Sequence, residues 1–296
     1  MKRAMSTPVR LSTLLGDYPQ TKSIKDGTLS SPLVGFDFAP YKMAFEGFKP
    51  MVREEKFDFG ELAIVTYLQA KAAGKAYVLA PATIYARPQH GMIVYNAERG
   101  LLRPEDLPGK RVGVRSYTVT TGTYVRGSLR NDYGVDTDKV TWVTFEDPHL
   151  PPIRNPPRLE LMGPDKNLTG MLLAGEIDAA IMAAVPEDKR IRPLFPDPVA
   201  AAGAWETKHG SAPVNHLMVV RSSLSRERPD VVREIYRLLR EGKRQAGDSP
   251  ALPYGVEPMR QALDAVIGYA LQQGLIERRY SVDELFDDTT RALPAG

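Results

Sequence analysis

The chain has 296 residues, of which 43% are hydrophobic and 25% are charged, the ordinary composition of a globular protein with a large core. A chain of this length favours two domains. Its 39 Lys and Arg against 36 Asp and Glu give a net charge of +3, which is too small to indicate nucleic acid binding but is compatible with small anionic ligands. Cysteine is absent, which excludes disulfides and thiolate metal sites.

The N-terminal residues predict neither export nor membrane insertion. Lys2 and Arg3 are followed by no apolar stretch and by no cleavage site of small residues. No run approaches the ~18 apolar residues of a membrane helix. These features predict a cytoplasmic protein, or a periplasmic one if a signal peptide was removed.

The first third of the chain alternates predicted strands and helices. Strands are predicted at 9–15, 33–38, 77–81 and 92–95, helices at 22–26, 46–55 and from about Gly60 onward, and a polar loop at 83–90. The first strand ends at Asp17 and Tyr18, and ligands bind outside the carboxyl ends of strands in open α/β sheets. Both side chains are therefore candidates for ligand binding, as is Glu61 at the predicted helix start. The polar loop adds Arg87 and His90.

Residues 109–122 predict an anion site. A short strand at 112–114 runs into a hydroxyl-rich segment and then into a predicted helix, whose first N–H groups and dipole favour a carboxylate or phosphate. Arg115 can add a bidentate contact. The hydroxyl side chains are those of Ser116, Thr118, Thr120 and Thr121. In the alternative interpretation, Ser116 or Thr118 only caps the helix and Arg115 is solvated.

The rest of the chain continues the α/β alternation. Strands are predicted at 140–145, 176–182 and 214–220, the last beginning with Asn215 and His216, and helices at 168–175, 200–209, from Pro229 onward and at 259–274. Five prolines between 148 and 157 exclude a regular element there. Ser281 and Glu284 predict a capping box. The apolar run at 176–182 suits a parallel sheet that is covered on both faces.

This alternation predicts an α/β protein with two lobes. Lobe 1 is predicted to combine residues 1–98 with 199–296, and lobe 2 is predicted to be an insertion of residues 99–198, a typical size for a domain. The expected arrangement has a ligand cleft between the lobes.

A succession of short sequence blocks extends from Leu11 to about Gln245. The blocks are Gly16-Asp17-Tyr18 with Thr21 and Asp26-Gly27; Phe57-Asp58 with Glu61 and Tyr67-Leu68; His90 before Ile93-Val94-Tyr95-Asn96; residues 107–114; Tyr117; Arg126-Gly127; Gly175-Glu176-Ile177-Asp178-Ala179; Leu194-Phe195-Pro196-Asp197; and His216 before Val219-Val220-Arg221. Each block alone is a weak signal, whereas their succession is specific. In this order they resemble the 4,5-dihydroxyphthalate decarboxylase family.

The resemblance implies a fold similar to type II periplasmic solute-binding proteins and the decarboxylation of a hydroxylated aromatic dicarboxylic acid. The family's polar positions fall here on Asp17, Glu61, His90, Tyr117 and His216. There are two departures from the family pattern: Arg115-Ser116 stands where the family has Pro-Glu, and Gln89 stands where it has Arg. If the missing acid is catalytic, this protein binds or decarboxylates a different compound.

Such a reaction needs three groups: a site for the carboxylate that stays, a group that takes charge from the phenol, and an acid that protonates the ring carbon. His90 and His216, with an ordinary pKa of ~6.5, can exchange protons near neutral pH, and Glu61 can orient one of them or accept the phenolic proton. These three are the predicted catalytic residues. The predicted substrate-binding residues are Asp17, Tyr18, Arg87, Arg115, Ser116, Tyr117, Thr118, Thr120 and Thr121.

Several alternatives stay open from the sequence. His90, His216 and Glu61 can also ligate a divalent metal, so the expected cofactor is either none or such a metal. The rival function is a non-catalytic solute-binding protein for an aromatic or other small carboxylate, and a third is an enzyme acting on another carboxylated ring. The expected partner is a small aromatic carboxylate, without nucleic acid, and the C-terminal helices leave faces for a homo-oligomer. His149 and His209 are interpreted as structural or surface residues.

Overall fold

The computed structural model describes residues 7–295, which form two compact units. The first unit contains residues 7–86, 214–264 and 280–295, and the second contains residues 87–213 and 265–279. The predicted lobe boundaries differ from these at 87–98, 199–213 and 265–279, which all belong to the second unit. The reason for the first difference is strand pairing, because the strand at Ile93–Asn96 belongs to the sheet of the second unit.

The strands are β1 (Val9–Leu14), β2 (Val34–Phe38), β3 (Phe59–Ala63), β4 (Tyr77–Ala86), β5 (Ile93–Asn96), β6 (Arg111–Val114), β7 (Thr141–Thr144), β8 (Leu159–Leu161), β9 (Ala179–Ile181), β10 (Ile191–Pro193) and β11 (Val214–Arg221). The α-helices are α1 (Pro19–Lys25), α2 (Phe48–Glu54), α3 (Ile64–Ala72), α4 (Thr120–Asn131), α5 (Leu168–Ala174), α6 (Pro198–His209), α7 (Ser222–Glu227), α8 (Pro229–Gln245), α9 (Val256–Gln272) and α10 (Asp288–Arg291). Short 3₁₀ turns include His90–Met92 and Val282–Leu285, and the latter carries the predicted Ser281 and Glu284 capping box.

The first unit is built on a mixed sheet with the order β2-β1-β3-β11-β4. β1 runs parallel to β2 and β3, whereas β11 runs antiparallel to β3 and β4. The apolar face of α8, formed by Val231, Ile235 and Leu238 at helical spacing, shares one core with Ala80 and Met218 of the sheet. Strand β3 is buried at every position, so its polar residue, Glu61, is removed from water.

The second unit is built on a sheet with the order β10-β5-β9-β6-β7-β8. β6 runs parallel to β7 and β9, while β5 runs antiparallel to β9 and β10, so the sheet is mixed rather than all parallel. Its core includes Val94, Val143 and Ala180 from the strands and Met171 and Leu172 from α5. Parallel strand β6 leads directly toward α4, the arrangement that places a helix N-terminus at the carboxyl end of a strand.

Two local predictions were wrong. The helix expected from Gly60 begins at Ile64, and Glu61 lies on strand β3 instead of at a helix start. The loop expected at 83–90 begins late, because β4 continues to Ala86. At Gly60 a short apolar run is equally compatible with a buried strand and with a buried helix, so periodicity alone does not separate them. At 83–86 the strand continues into residues that the sequence interpretation assigned to the polar loop.

Among the described residues, none of the helices is both long enough and apolar enough to cross a membrane.

Candidate functional site

The carboxylate of Glu61 is the most buried acidic group of the predicted set. Its residue is 0% exposed and lies on β3, where its backbone is paired with that of Met218 on β11. A carboxylate removed from water needs hydrogen-bond donors to replace its hydration. The neighbouring segments supply them.

Three donors converge on this carboxylate. The backbone N–H of Gly16 donates to Oε1 at 2.6 Å, and the hydroxyl of Tyr18 donates to Oε2 at 3.1 Å. Nδ1 of His216 lies 2.6 Å from the same Oε2. Because a carboxylate oxygen can only accept, this contact places the ring proton on Nδ1 and leaves Nε2 for exchange with a ligand.

The chain between β1 and α1 is shaped around Glu61. A Cβ at Gly16 would lie 2.7 Å from Glu61 Oε1 and 2.7 Å from the ring of Tyr18, so only glycine allows this approach. Burial, reinforced by the charge of Glu61, raises the pKa of Tyr18, which keeps its hydroxyl protonated as a donor.

His216 sits at an irregularity of the sheet. The pairing register between β11 and β4 shifts on both sides of His216, and such bulges re-aim side chains. Its ring meets Phe48 edge-on at 5.1 Å between centroids and lies 5.4 Å from the ring of Tyr85, which stacks at 5.8 Å on Tyr18. The His216 side chain is 17% exposed, so part of it stays accessible, whereas the Glu61 side chain is fully buried.

Asp17 is not part of this cluster. It forms an ion pair with Lys25, and its side chain is 76% exposed. The structure thus brings together Tyr18, Glu61 and His216 from the predicted set and directs Asp17 to solvent.

The other predicted residues belong to the second unit, around the start of α4. Arg87 donates from Nη2 to the hydroxyl of Thr121 at 3.0 Å and from Nη1 to the carbonyl of Ala183. Ser116, Tyr117 and Thr118, between β6 and α4, are buried, as are Thr120 and Thr121 in the first turn of α4.

Neither Ser116 nor Thr118 caps α4. The N-cap residue is Val119, and no side chain makes a cap hydrogen bond there. The hydroxyl of Ser116 is buried and has no hydrogen-bond partner among residues 7–295. Arg115 pairs with Glu146 at 2.8 Å, so part of its charge is already neutralised.

His90 lies in the turn before β5, and this turn packs against α4 and α6. Its ring meets Phe195 edge-on at 5.1 Å. Burial lowers its pKa, although the charge of Asp132 opposes the shift. Its Nδ1 is buried and without a hydrogen-bond partner within the part of the chain that the structure describes. His90 is therefore a neutral imidazole with unused hydrogen-bonding capacity.

Arg126 is a residue that sequence reasoning missed. It lies on α4, is 1% exposed, and stacks on Tyr117 with its guanidinium carbon 4.0 Å from the ring centre. From the sequence, an Arg on an amphipathic helix looks like a solvated residue. The only signal was its place in the matched Arg126-Gly127 block.

The predicted metal ligands do not assemble into one group. Within the described range 7–295, no three His, Asp, Glu or Cys side chains lie close enough to hold a metal ion. Glu61 and His216 meet in the first unit, and His90 belongs to the second.

Comparison with known proteins gives both a family and a fold. Residues 46–155 match the family described as NMT1/THI5 like. A 4,5-dihydroxyphthalate decarboxylase of Comamonas testosteroni is 29% identical over 237 residues, which cover 75% of this chain and 71% of the relative. The 4,5-dihydroxyphthalate decarboxylase of Pseudomonas putida is 30% identical over 219 residues, which cover 67% of this chain and 81% of the relative.

Among solved structures, the alkanesulfonate-binding protein SsuA from Xanthomonas axonopodis pv. citri, bound to MOPS, is similar with a TM-score of 0.61 and 13% identity. The match covers 96% of this chain and 99% of that one. At this identity the similarity concerns the fold alone, and it confirms the predicted two-lobed, periplasmic-binding-protein-like fold.

Proposed function

The chain belongs to the 4,5-dihydroxyphthalate decarboxylase family, and from this premise we propose that it releases carbon dioxide from a hydroxylated aromatic dicarboxylic acid such as 4,5-dihydroxyphthalate. The observation that carries the proposal is the 2.6 Å contact between the buried Glu61 carboxylate and His216. A site that only binds an anion uses N–H donors and cations, whereas a buried acid held against an imidazole is suited to proton transfer.

The reaction replaces a carboxylate with a proton on the same ring carbon. A base removes the proton of the hydroxyl para to that carboxylate, and the negative charge spreads to the ring carbon. An acid then protonates this carbon, the bond to the carboxylate breaks, and its electron pair returns to the ring as carbon dioxide leaves. The phenolic oxygen finally regains a proton.

We assign protonation of the ring carbon to Nε2 of His216. Glu61 acts through His216 as a positioning residue, because it holds Nδ1 and balances the charge that the ring gains with a second proton. Removal of the phenolic proton is assigned to His90, since its lowered pKa keeps it neutral and able to accept a proton near pH 7. The substrate carboxylate that stays is assigned to the start of α4, near Arg87 and Thr121.

The test is incubation of the purified protein with 4,5-dihydroxyphthalate, with chromatographic detection of 3,4-dihydroxybenzoate. Parallel samples contain added divalent metal or a chelator. His216→Ala and His90→Ala should lose turnover far more than binding. His209→Gln, at the end of α6, is the matched control, and its turnover should equal that of the wild type.

The rival function gives a different result. A solute-binding protein would form no product in any sample, while aromatic carboxylates would raise its melting temperature. Product formation that is unchanged in both His→Ala variants would keep the decarboxylase but remove these residues from its mechanism.

We also propose that the enzyme serves phthalate catabolism in the cytoplasm. Cell fractionation with antibody detection tests this, and recovery of the protein with periplasmic markers would contradict it.

A further inference from the structure

The guanidinium of Arg126 is buried, and no acidic side chain pairs with it in the part of the chain that the structure describes. Its Nε donates to Gln273 Oε1 at 2.7 Å, and its Nη2 donates to the carbonyl of Tyr117 at 2.6 Å. Its Nη1 is buried and has no hydrogen-bond partner, and no Asp or Glu of residues 7–295 pairs with it. Aromatic rings of Tyr117 and Trp142 cover its face at 4.0 and 5.1 Å. All of its direct contacts are thus uncharged.

The side chain nevertheless carries a positive charge. Burial lowers the pKa of Arg126 to about 10, which leaves it protonated at neutral pH. A buried cation without a nearby anion is costly, because the neutral dipoles around it replace only part of its hydration. The unit therefore holds a positive charge that an added anion would compensate.

This charge lies beside the first turn of α4. Side chains on a helix point back toward its N-terminus, and here Nη1 would lie 2.9 Å from a Cβ built on Gly122, four residues earlier. The helix dipole is also positive at this end, and Val119 gives no side-chain cap. The guanidinium of Arg87 reaches Thr121 in the same turn.

We propose that the start of α4 is a binding subsite for an anionic carboxylate group and that Arg126 provides its fixed positive charge from beneath. Arg126 is a positioning residue here, because its buried guanidinium acts on the ligand through the helix end. The identity of the ligand rests on the proposed function: the carboxylate is the one that the substrate keeps and the product carries. Ligands with that group should bind, and catechol, which lacks it, should not.

The experiment is calorimetric titration of the full chain with phthalate, 3,4-dihydroxybenzoate and catechol. Arg126→Met should weaken binding of the two carboxylates by at least tenfold, and Arg126→Lys, which keeps the charge, should weaken it less. Added salt should weaken binding by the wild type more than binding by Arg126→Met. The matched control is Arg130→Met on the same helix, where the half-buried Arg130 pairs with Asp138, and carboxylate affinity should be unchanged in this variant.

A second variant keeps the test decisive if the Arg126 variants do not fold. Gly122→Ala places a methyl group against Nη1 and should displace the guanidinium, so carboxylate affinity should fall several-fold while the chain stays folded. Unchanged affinity in folded Arg126→Met, or in Gly122→Ala if only that variant folds, overturns the subsite.

The subsite and the decarboxylase can fail separately. Carboxylate binding that depends on Arg126 without product formation would retain the subsite and reject the decarboxylase. Normal turnover and KM in Arg126→Met would retain the decarboxylase and reject the subsite.

Discussion

The cluster around Glu61 and the buried groups near the start of α4 differ in how their polar atoms are paired. In the first unit, Glu61 receives three donors and the cluster around it is complete without a ligand. In the second unit, His90, Ser116 and Arg126 each keep a buried polar atom without a hydrogen-bond partner among the described residues. A complete cluster is preorganised for proton transfer, whereas an incomplete one gains hydrogen bonds or charge compensation when an anion binds.

Removing the negative charge of Glu61 should reduce turnover more than any other change in the cluster around it. Glu61→Gln keeps the size of the side chain but removes its charge, so His216 loses the group that balances its second proton. We expect kcat to fall by about 10²- to 10⁴-fold, the range typical of acid–base groups. Product formation measures it. Glu234→Gln, at a half-buried acid of α8 paired with Arg237, is the control, and an equal loss in both variants would contradict the assignment.

Steric disruption of the same cluster should act on stability as well. Gly16→Ala places a Cβ 2.7 Å from Glu61 Oε1 and 2.7 Å from the Tyr18 ring, so one of them must move. We expect the free energy of unfolding to fall by about 1–3 kcal/mol, the usual cost of overpacking. Chemical denaturation measures it.

The control for Gly16→Ala is Gly203→Ala in α6, where an added Cβ meets nothing within 4 Å. This variant should be neutral or stabilising by up to about 1 kcal/mol, because Ala is a better helix former than Gly. If Gly16→Ala behaves in the same way, the chain before α1 is not shaped around Glu61.

The burial of His90 should make the free energy of unfolding depend on pH. Because burial lowers the pKa of His90, the unfolded chain binds the proton more readily than the folded chain. The contribution of His90 to stability is therefore full above its ordinary pKa of about 6.5 and is lost as pH falls below that value. The wild type should lose up to about 1.4 kcal/mol per pH unit more than His90→Gln in this range.

Denaturant titrations between pH 7 and pH 5 measure this difference. His209→Gln, which keeps His90, should retain the wild-type slope. Equal slopes for the wild type and His90→Gln would mean that His90 is protonated as easily in the folded chain as in the unfolded one.

The sequence predicted regular elements better than it predicted the environment of charged residues. Strands β1 and β11 were predicted to within a residue at each end, because apolar runs bounded by turn residues mark buried strands. The apolar residues that follow Glu61 fit a buried helix as well as a buried strand, so their pattern does not show that Glu61 lies on β3. Pairing of Glu61 with His216 depends on β3 and β11 being neighbours in the sheet, and no local pattern encodes that adjacency.

The burial of Arg126 likewise depends on tertiary packing that the local sequence does not show. Its spacing on α4 is that of any helical residue, and only the packing of Tyr117 and Trp142 over its guanidinium makes it a buried charge. The family blocks carried both Glu61 and Arg126, yet a matched position indicates that a residue matters without saying whether it is paired. Whether a buried charge is paired depends on the packing of side chains that are distant in sequence.

Removing one donor from the cluster around Glu61 should cost less activity than removing the charge of Glu61. Tyr18→Phe deletes the hydroxyl that donates to Glu61 Oε2 at 3.1 Å and leaves the contacts of Gly16 and His216 in place. Because Oε2 keeps His216, the loss in unfolding free energy should be about 1–2 kcal/mol, near that of one hydrogen bond to a charged group.

Turnover of Tyr18→Phe should fall only a few-fold, far less than in Glu61→Gln, since the charge beside His216 stays. Tyr41→Phe, whose ring packs edge-on against Phe57, is the control for removing a phenolic hydroxyl from the same unit. A loss as large as that of Glu61→Gln would mean that Tyr18 itself exchanges a proton with the substrate. The first unit would then hold two proton-transfer groups, and Glu61 would serve both of them.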